Sequence, residues 1–372
     1  MNSRHTTDER RGRRRFLAGV AALGTASLAG CTGLLEDDDG EDLGIIGYGR
    51  AGRGEQGGTP VSEMPDLSGE LTVYSGRNKF LVGDLMRAID NHYDDLALDV
   101  RYNSSTDHVN QILNEGDGTP ADVFYSVNAG SLGVLADEDR TRSLPAEVRE
   151  MVRPEFSTDT WVGTSGRARS VPYNTEVYDE ADLPDDIMAY PDFEGDLGWA
   201  PVYGSCQAFV TAMRILEGEE ATREWLEGVV DAGIRSYPDE FAVCEAVADG
   251  EIDAGLTNHY YIQRVLDGDP DAPIATAFTS GDAGAVFNVA GATVIDTTDE
   301  PDLAENFVRH LLSSEAQDYF ARTTFEYPLI PEVEPVGELP TIDELDVPDL
   351  DLTRLSDLQP TVDLMREAGI DL

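Results

Sequence analysis

Leu71-Thr72-Val73-Tyr74-Ser75-Gly76-Arg77-Asn78 reads as a strand running into a turn: β-forming residues first, then Ser-Gly. Apolar residues at helical spacing follow from about Leu81 to Tyr93. A second strand (Leu98 to Tyr102), a second helix (Asp107 to Glu115) and a third strand (Asp122 to Tyr125) come next, with a turn over 126–130. Strands alternating with helices predict an α/β fold whose parallel sheet is covered on both faces. Ligands of such sheets sit outside the carboxyl ends of the strands, which singles out the loops 75–78 and 126–130.

The pattern then changes lobe. Trp161 to Arg167 leads into a strand from Arg169 to Thr175 that leaves the first lobe. Leu197 to Ala200 opens a new sheet, followed by the turn Tyr203-Gly204-Ser205-Cys206 and helices over 207–217 and 219–232. A strand from Ile234 to Tyr237, a helix starting near Glu240 and a strand from Asp253 to Thr257 continue it. Ala285 to Val289 crosses back, Gly291 to Ile295 re-enters the first lobe, and Leu303 to Arg322 reads as one amphipathic helix. Two lobes joined by two crossings predict a hinged clamshell: 69–172 plus 290–331 as the N-lobe, 173–289 as the C-lobe, and a Pro- and Asp-rich tail, 332–372, packing on them.

At 372 residues the chain is long enough for two domains. Its net charge is −47 and Lys79 is its one lysine, which excludes nucleic acid as a partner, because phosphate binding needs a basic surface. Such an acidic, arginine-over-lysine composition suits a high-salt medium that screens self-repulsion. Hydrophobic residues make up 41% of the chain, too many for a disordered polyanion.

The first segment is an address. Arg13-Arg14-Arg15-Phe16-Leu17 precedes an apolar run, Ala18 to Gly30, too short to span a membrane, and the order predicts a signal peptide over 1–30. The paired arginines resemble a twin-arginine signal, and Leu28-Ala29-Gly30-Cys31 resembles a lipobox with Cys31 as the lipidated residue. Cleavage there would remove six arginines and two acids, leaving the chain more acidic still. Residues 31–68, acidic and then Gly-rich, read as a tether between lipid and domain. This places the protein outside the cytoplasm, on the outer face of the cell membrane. Cys206 and Cys244 are expected to be free buried thiols, although an extracytoplasmic setting also permits a bridge.

Asn258-His259-Tyr260-Tyr261 stands between a short strand and the helical run from Ile262 to Leu266. Asn258 is a good N-cap, so both tyrosines fall in the first helical turn, where free N–H groups and the helix dipole favour anions. Two phenolates there suit a hard trivalent cation such as ferric iron. A Tyr-Tyr pair alone is more often two packing aromatics, and the rest of the chain has to decide. His259, about 100° round the helix from its neighbour, is expected to face away. There is no phosphate-binding loop, no zinc-spaced histidine pair and no assembled nucleophile–base set, so an enzyme is not expected.

From residue 71 to about 329 the chain resembles the ferric-iron-binding proteins of ABC importers, two-lobed solute-binding proteins of the transferrin-like, periplasmic-binding class. The resemblance rests on Leu71 to Arg77, Pro120 to Phe124, Trp161 to Arg169, Asn258 to Tyr261, Asn288 to Ala292 and Glu326 to Leu329, in that order and spacing. It implies that Tyr260 and Tyr261 are iron ligands, that Tyr203, Gly204, Ser205 and Asn258 hold a synergistic anion, and that Glu240 falls where some members touch that anion. It implies Fe(3+) as cargo, and an ABC permease with its ATPase as partners of a monomer. Two positions depart from the family. Asn78 stands where members place a histidine ligand, and Val127 where they place a glutamate. Asn78 and Glu240 are therefore further cleft candidates, as are the phenols of Tyr74, Tyr125 and Tyr203. Another small solute, such as thiamine, phosphonate or another anion, is the alternative cargo on the same fold.

Overall fold

The computed structural model describes Ile46 and residues 57–372. The expected signal peptide over 1–30, Cys31 and the acidic run over 36–42 lie outside the described residues. Three parallel strands start the first lobe: β1 (Gly69–Ser75), β2 (Leu96–Tyr102) and β3 (Val123–Ser126), in the order β2-β1-β3, with Val73 opposite both Val100 and Val123. Helices α1 (Lys79–His92), α2 (Ser105–Glu115) and α3 (Ala129–Asp137) follow them in turn. Each starts on a polar cap: Asn78 accepts from Phe80 N, Ser104 from Asp107 N and Asn128 from Ser131 N, at 2.8–3.0 Å. The turn at 126–130 is thus the entry to a helix, because Asn128 caps it. Gly76 is required at its position, since a Cβ there would overlap the Ser105 side chain.

After α4 (Ala146–Arg149), β4 (Trp161–Asn174) runs unbroken through the two segments that sequence separated at Ala168. The second lobe follows: β5 (Leu197–Trp199), α5 (Gly204–Leu216), α6 (Glu219–Asp231), β6 (Arg235–Ser236), α7 (Glu240–Ala248), β7 (Ala254–Gly255), β8 (Thr257–Asn258), α8 (His259–Gly268) and β9 (Ile274–Ala277). Strand β10 (Phe287–Val294) then returns antiparallel to both β3 and β4, with a bulge at Ala290/Gly291. The two crossings of the expected clamshell are therefore the paired strands β4 and β10, with Phe287 opposite Ala168. The far half of β4 pairs with β7, β8 and β9.

The apolar interior is split accordingly. One core gathers Val73, Phe124, Val162, Phe307 and Phe320; another gathers Trp199, Phe209, Trp225 and Val229. Cys206 and Cys244 are free and buried, and burial pushes the Cys206 thiol up to about 12, leaving it unreactive.

Two sequence expectations change. The single helix over Leu303 to Arg322 is divided into α9 (Pro301–His310) and α10 (Ser314–Tyr319), because Ser313 turns to accept from Ala316 N and caps a new helix. A π-turn over Phe320–Thr324 then delivers Phe325 in the left-handed region, φ 60°, just before Glu326 and β11 (Tyr327–Pro328). The described part of the presumed tether also packs: Ile46, Val61, Met64 and Leu67 are buried, and the buried Glu315 carboxylate accepts from Val61 N at 3.0 and 3.2 Å. Apolar side chains in an acidic stretch sufficed to order it against the first lobe. Beyond 331 the tail ends in α11 (Gln359–Glu367). Among the described residues no helix is long and apolar enough to cross a membrane.

Candidate functional site: a phenol-lined cleft between the lobes

A cavity of about 350 Å³ opens where the loops after β1 and β3 face the start of α5 and α8. Arg77, Val127 and Asn128 line it from the first lobe; Tyr203, Gly204, Ser205, Asn258 and Tyr260 line it from the second. These are the carboxyl-end loops that alternation singled out. The cavity size is that of a small-ligand site.

Asn258 occupies the N-cap position of α8 but its side chain does not cap; Nδ2 instead donates to the Tyr260 hydroxyl at 3.3 Å. The rings of Tyr260 and Tyr261 lie 4.4 Å apart. Tyr203, at the N-cap of α5, brings its hydroxyl to 2.8 Å from that of Tyr261. Three phenols thus gather where two helices begin: Tyr260 lines this cavity, Tyr261 lines a neighbouring one instead, and Tyr203 lines both. Burial, then the Glu240 charge, raises the Tyr260 pKa; burial, then Tyr260, raises that of Tyr261 strongly. Without a cation both are neutral phenols at pH 7. Among the described residues no cluster of three or more His, Cys, Asp or Glu side chains is placed to hold a metal.

Two further candidates are engaged elsewhere. Asn78 Oδ1 is committed to the cap of α1, and Asn78 is not among the residues lining the cavity. Glu240 is fully buried behind the wall: Oε1 accepts from Arg169 Nη1 and from Ser205 Oγ, each at 2.5 Å, and Oε2 from Asn258 N at 3.0 Å. It therefore ties the α5 turn, the crossing strand β4 and the residue before the tyrosines to one carboxylate. Tyr74 points to Glu115 on α2, and neither Tyr74 nor Tyr125 lines the cavity.

His259 faces away from the cavity and into the protein, as its helical position predicts. Ala168 N donates to Nδ1 at 3.2 Å, and Nε2 donates to Phe325 O at 2.9 Å, which sets the neutral tautomer. Burial lowers its pKa to about 4.

Four arginines face the cavity. Arg77 is buried against Glu326 at 2.6 Å and donates to Ser165 Oγ at 2.9 Å; burial opposes its charge, but Glu326 together with Tyr125 and Tyr260 outweighs burial and the pKa rises. Arg169 is paired with Glu240, its Nη2 buried without a partner among the described residues. Arg167 donates to Val127 O at 2.7 Å, and Arg264 lies 4.8 and 5.1 Å from the ring centres of Tyr260 and Tyr261. Sequence reading missed Arg264, although its spacing of three and four residues from the tyrosines puts it on their helix face. It also missed Leu355, Ser356 and Leu358 of the tail, which line the cavity and carry no local signal of doing so.

A two-lobed α/β clamshell with a cavity between its lobes is the fold of the extracellular solute-binding proteins. The profile of the bacterial extracellular solute-binding protein family matches residues 71–326, and the chain belongs to that family. It is 31% identical over 312 residues to a protein of Neisseria meningitidis named major ferric iron-binding protein, covering 81% of this chain and 93% of that one. A Serratia marcescens protein named Fe(3+)-binding periplasmic protein is 26% identical over 310 residues, covering 81% and 90%. Among solved structures, iron-bound HitA from Pseudomonas aeruginosa superposes with a TM-score of 0.71 at 28% identity, over 81% of this chain and 99% of that one.

Proposed function

We propose that this protein captures ferric iron together with a synergistic anion outside the cell membrane and delivers it to an ABC permease. The observation that carries the reading is the convergence of the Tyr203, Tyr260 and Tyr261 hydroxyls at two helix starts. Ferric iron is the cargo, not a resident cofactor. Three phenolates would balance its three charges, so Tyr203 takes the place that a first-lobe acid would otherwise fill. Arg167 and Arg264 are not ion-paired among the described residues and face the same space as the first turn of α5; they would hold the anion beside the metal. Gly204 and Ser205 supply backbone N–H groups there.

The lobes are read as 69–172 plus 290–331 and 173–289, moving about β4 and β10. Cys31 carries the lipid anchor, the protein acts as a monomer, and the permease's own ATPase drives uptake. The relatives named for iron support this reading, as does the absence of any other concentrated donor set among the described residues.

The test is a titration of metal-free protein with ferric nitrilotriacetate in carbonate buffer. One iron per chain and a visible phenolate-to-iron band are expected. No band and no bound iron, with thiamine or a phosphonate retained instead, would replace iron by another solute.

A further inference from the structure

The C-terminal tail lies outside the segment matched by the family profile, yet it touches both lobes. It leaves the first lobe with Asp343 paired to Arg153 at 2.7 Å, and with Ile342, Leu345 and Val347 against that lobe's core. Asp346 then binds the far side, accepting from Ser280 Oγ at 2.7 Å and, through its carbonyl, from Gly281 N at 2.8 Å. Leu352 packs on both cores. The turn Leu352–Ser356 lies between α3 of the first lobe and α5 of the second. From there Leu355, Ser356 and Leu358 form part of the cleft wall.

The two sides of this turn differ in kind. Toward the second lobe it is apolar and anchored: Leu355, Leu364 and Met365 are buried in that core, and Thr361 bonds Thr211 at 2.7 Å and Arg214 at 2.9 Å. Toward the first lobe it lays Thr353 and Ser356 on Gly133 and Gly130, one helical turn apart on α3. A Cβ at Gly133 would stand 3.0 Å from Thr353 Cβ. The turn holds its own shape: Asp351 accepts from Thr353 N at 3.0 Å and Thr353 Oγ1 at 2.7 Å, and Ser356 Oγ donates to Thr353 O at 2.9 Å. Any motion that separates α3 from α5 must break one contact. The contact over glycine is the weaker: on that side Leu352 is the turn's partly buried apolar contact with the first core, against the buried Leu355, Leu364 and Met365 on the other, and the turn's own hydrogen bonds survive detachment.

We propose that the tail from Leu352 onward is a strap, fixed to the second lobe through Leu355, Thr361, Leu364 and Met365, whose Leu352–Ser356 turn docks on the glycine face of α3 when the cleft closes and leaves it when the cleft opens. Closure then carries a contact remote from the tyrosines, and the strap sets the balance of open and closed protein independently of the cargo.

The test is a cysteine pair, Gly133→Cys with Thr353→Cys: the 3.0 Å between the two Cβ positions is shorter than the roughly 3.8 Å of a disulfide, so the bridge forms once the turn gives by a little under an ångström while still docked on α3. In iron-free protein, oxidation should lower the radius of gyration from solution scattering, and reduction should restore it. This arm needs no iron, so it tests the strap separately from the iron reading on which the second arm rests. In iron-loaded protein, oxidation should slow transfer of iron to a chelator by about tenfold or more, as expected when the open population is cut by that factor. Failure of the bridge to form, or a radius indifferent to it, would overturn the strap; an unchanged transfer rate in loaded protein would overturn its control of release. Gly133→Leu provides a second variant without a bridge. It should push Thr353 off α3 and expand the iron-free protein with little change in melting temperature, and an unaltered radius would again count against the strap.

Discussion

The Tyr203 hydroxyl lies 2.8 Å from the Tyr261 hydroxyl across 58 residues of chain. One phenol opens α5 and the other sits in the first turn of α8, so the start of α5 and the tyrosine pair bring their hydroxyls to one place. Tyr203→Phe keeps the ring and removes the oxygen. If the third phenolate binds the metal, iron affinity should fall by at least about tenfold, or 1.4 kcal/mol, and the visible band should move. Competition with a calibrated chelator measures the first and absorption spectroscopy the second. Unaltered affinity and spectrum would return Tyr203 to a hydrogen-bonding role.

Much of the first lobe was legible because its signals are local. Strand, cap and helix follow one another within a few residues, and Asn78, Ser104 and Asn128 announce each helix. The tyrosine pair was legible for the same reason. What Asn78 and Glu240 do was not, since each oxygen's partner depends on three-dimensional neighbours: Phe80 N in one case, Arg169 and Asn258 N in the other. The break after His310 was hidden because apolar spacing continues across Leu311 and Leu312, which are both buried within the break itself. The tail's place in the cleft was hidden too, since Leu352 and Leu355 meet their partners only across long stretches of chain.

Glu240 and Asn78 should behave oppositely on substitution. Glu240→Gln removes one charge of a buried pair and leaves Arg169 uncompensated, which typically costs about 3–5 kcal/mol. Chemical denaturation should register that loss, and iron binding should weaken as well, because Glu240 positions Ser205 and Asn258. Asn78→Ala should cost only about 1 kcal/mol, as loss of a helix cap does, with iron affinity preserved. Strong loss of iron binding in Asn78→Ala at intact stability would make Asn78 a cleft ligand after all.

Stability should also depend on pH between about 4 and 6.5. His259 and His310 are buried neutral, and burial lowers each pKa to about 4. His310 accepts from the Tyr93 hydroxyl and donates to Asn306 O, both at 2.7 Å, which suits the neutral ring. An unfolded histidine titrates near 6.5, so in this window the unfolded chain binds more protons. The contribution is fully present above about 6.5 and is lost as pH falls toward 4, on the order of 3 kcal/mol per histidine. Urea midpoints measured from pH 7 to 4 should fall accordingly, and His310→Gln should flatten the slope. A slope identical in His310→Gln would remove that residue from the account.

The central claim is that Tyr260 and Tyr261 hold the iron as phenolates, and the visible spectrum of the iron-loaded protein tests it most directly. Burial raises both phenol pKa values, so a cation must displace their protons, and acid must favour its release. The intact protein should show a phenolate-to-iron band that fades on acidification. Tyr260→Phe and Tyr261→Phe should each weaken iron capture severely, and the double variant should lose both band and iron while keeping its melting temperature within a few degrees. Tight, coloured iron binding by the folded double variant would contradict the account.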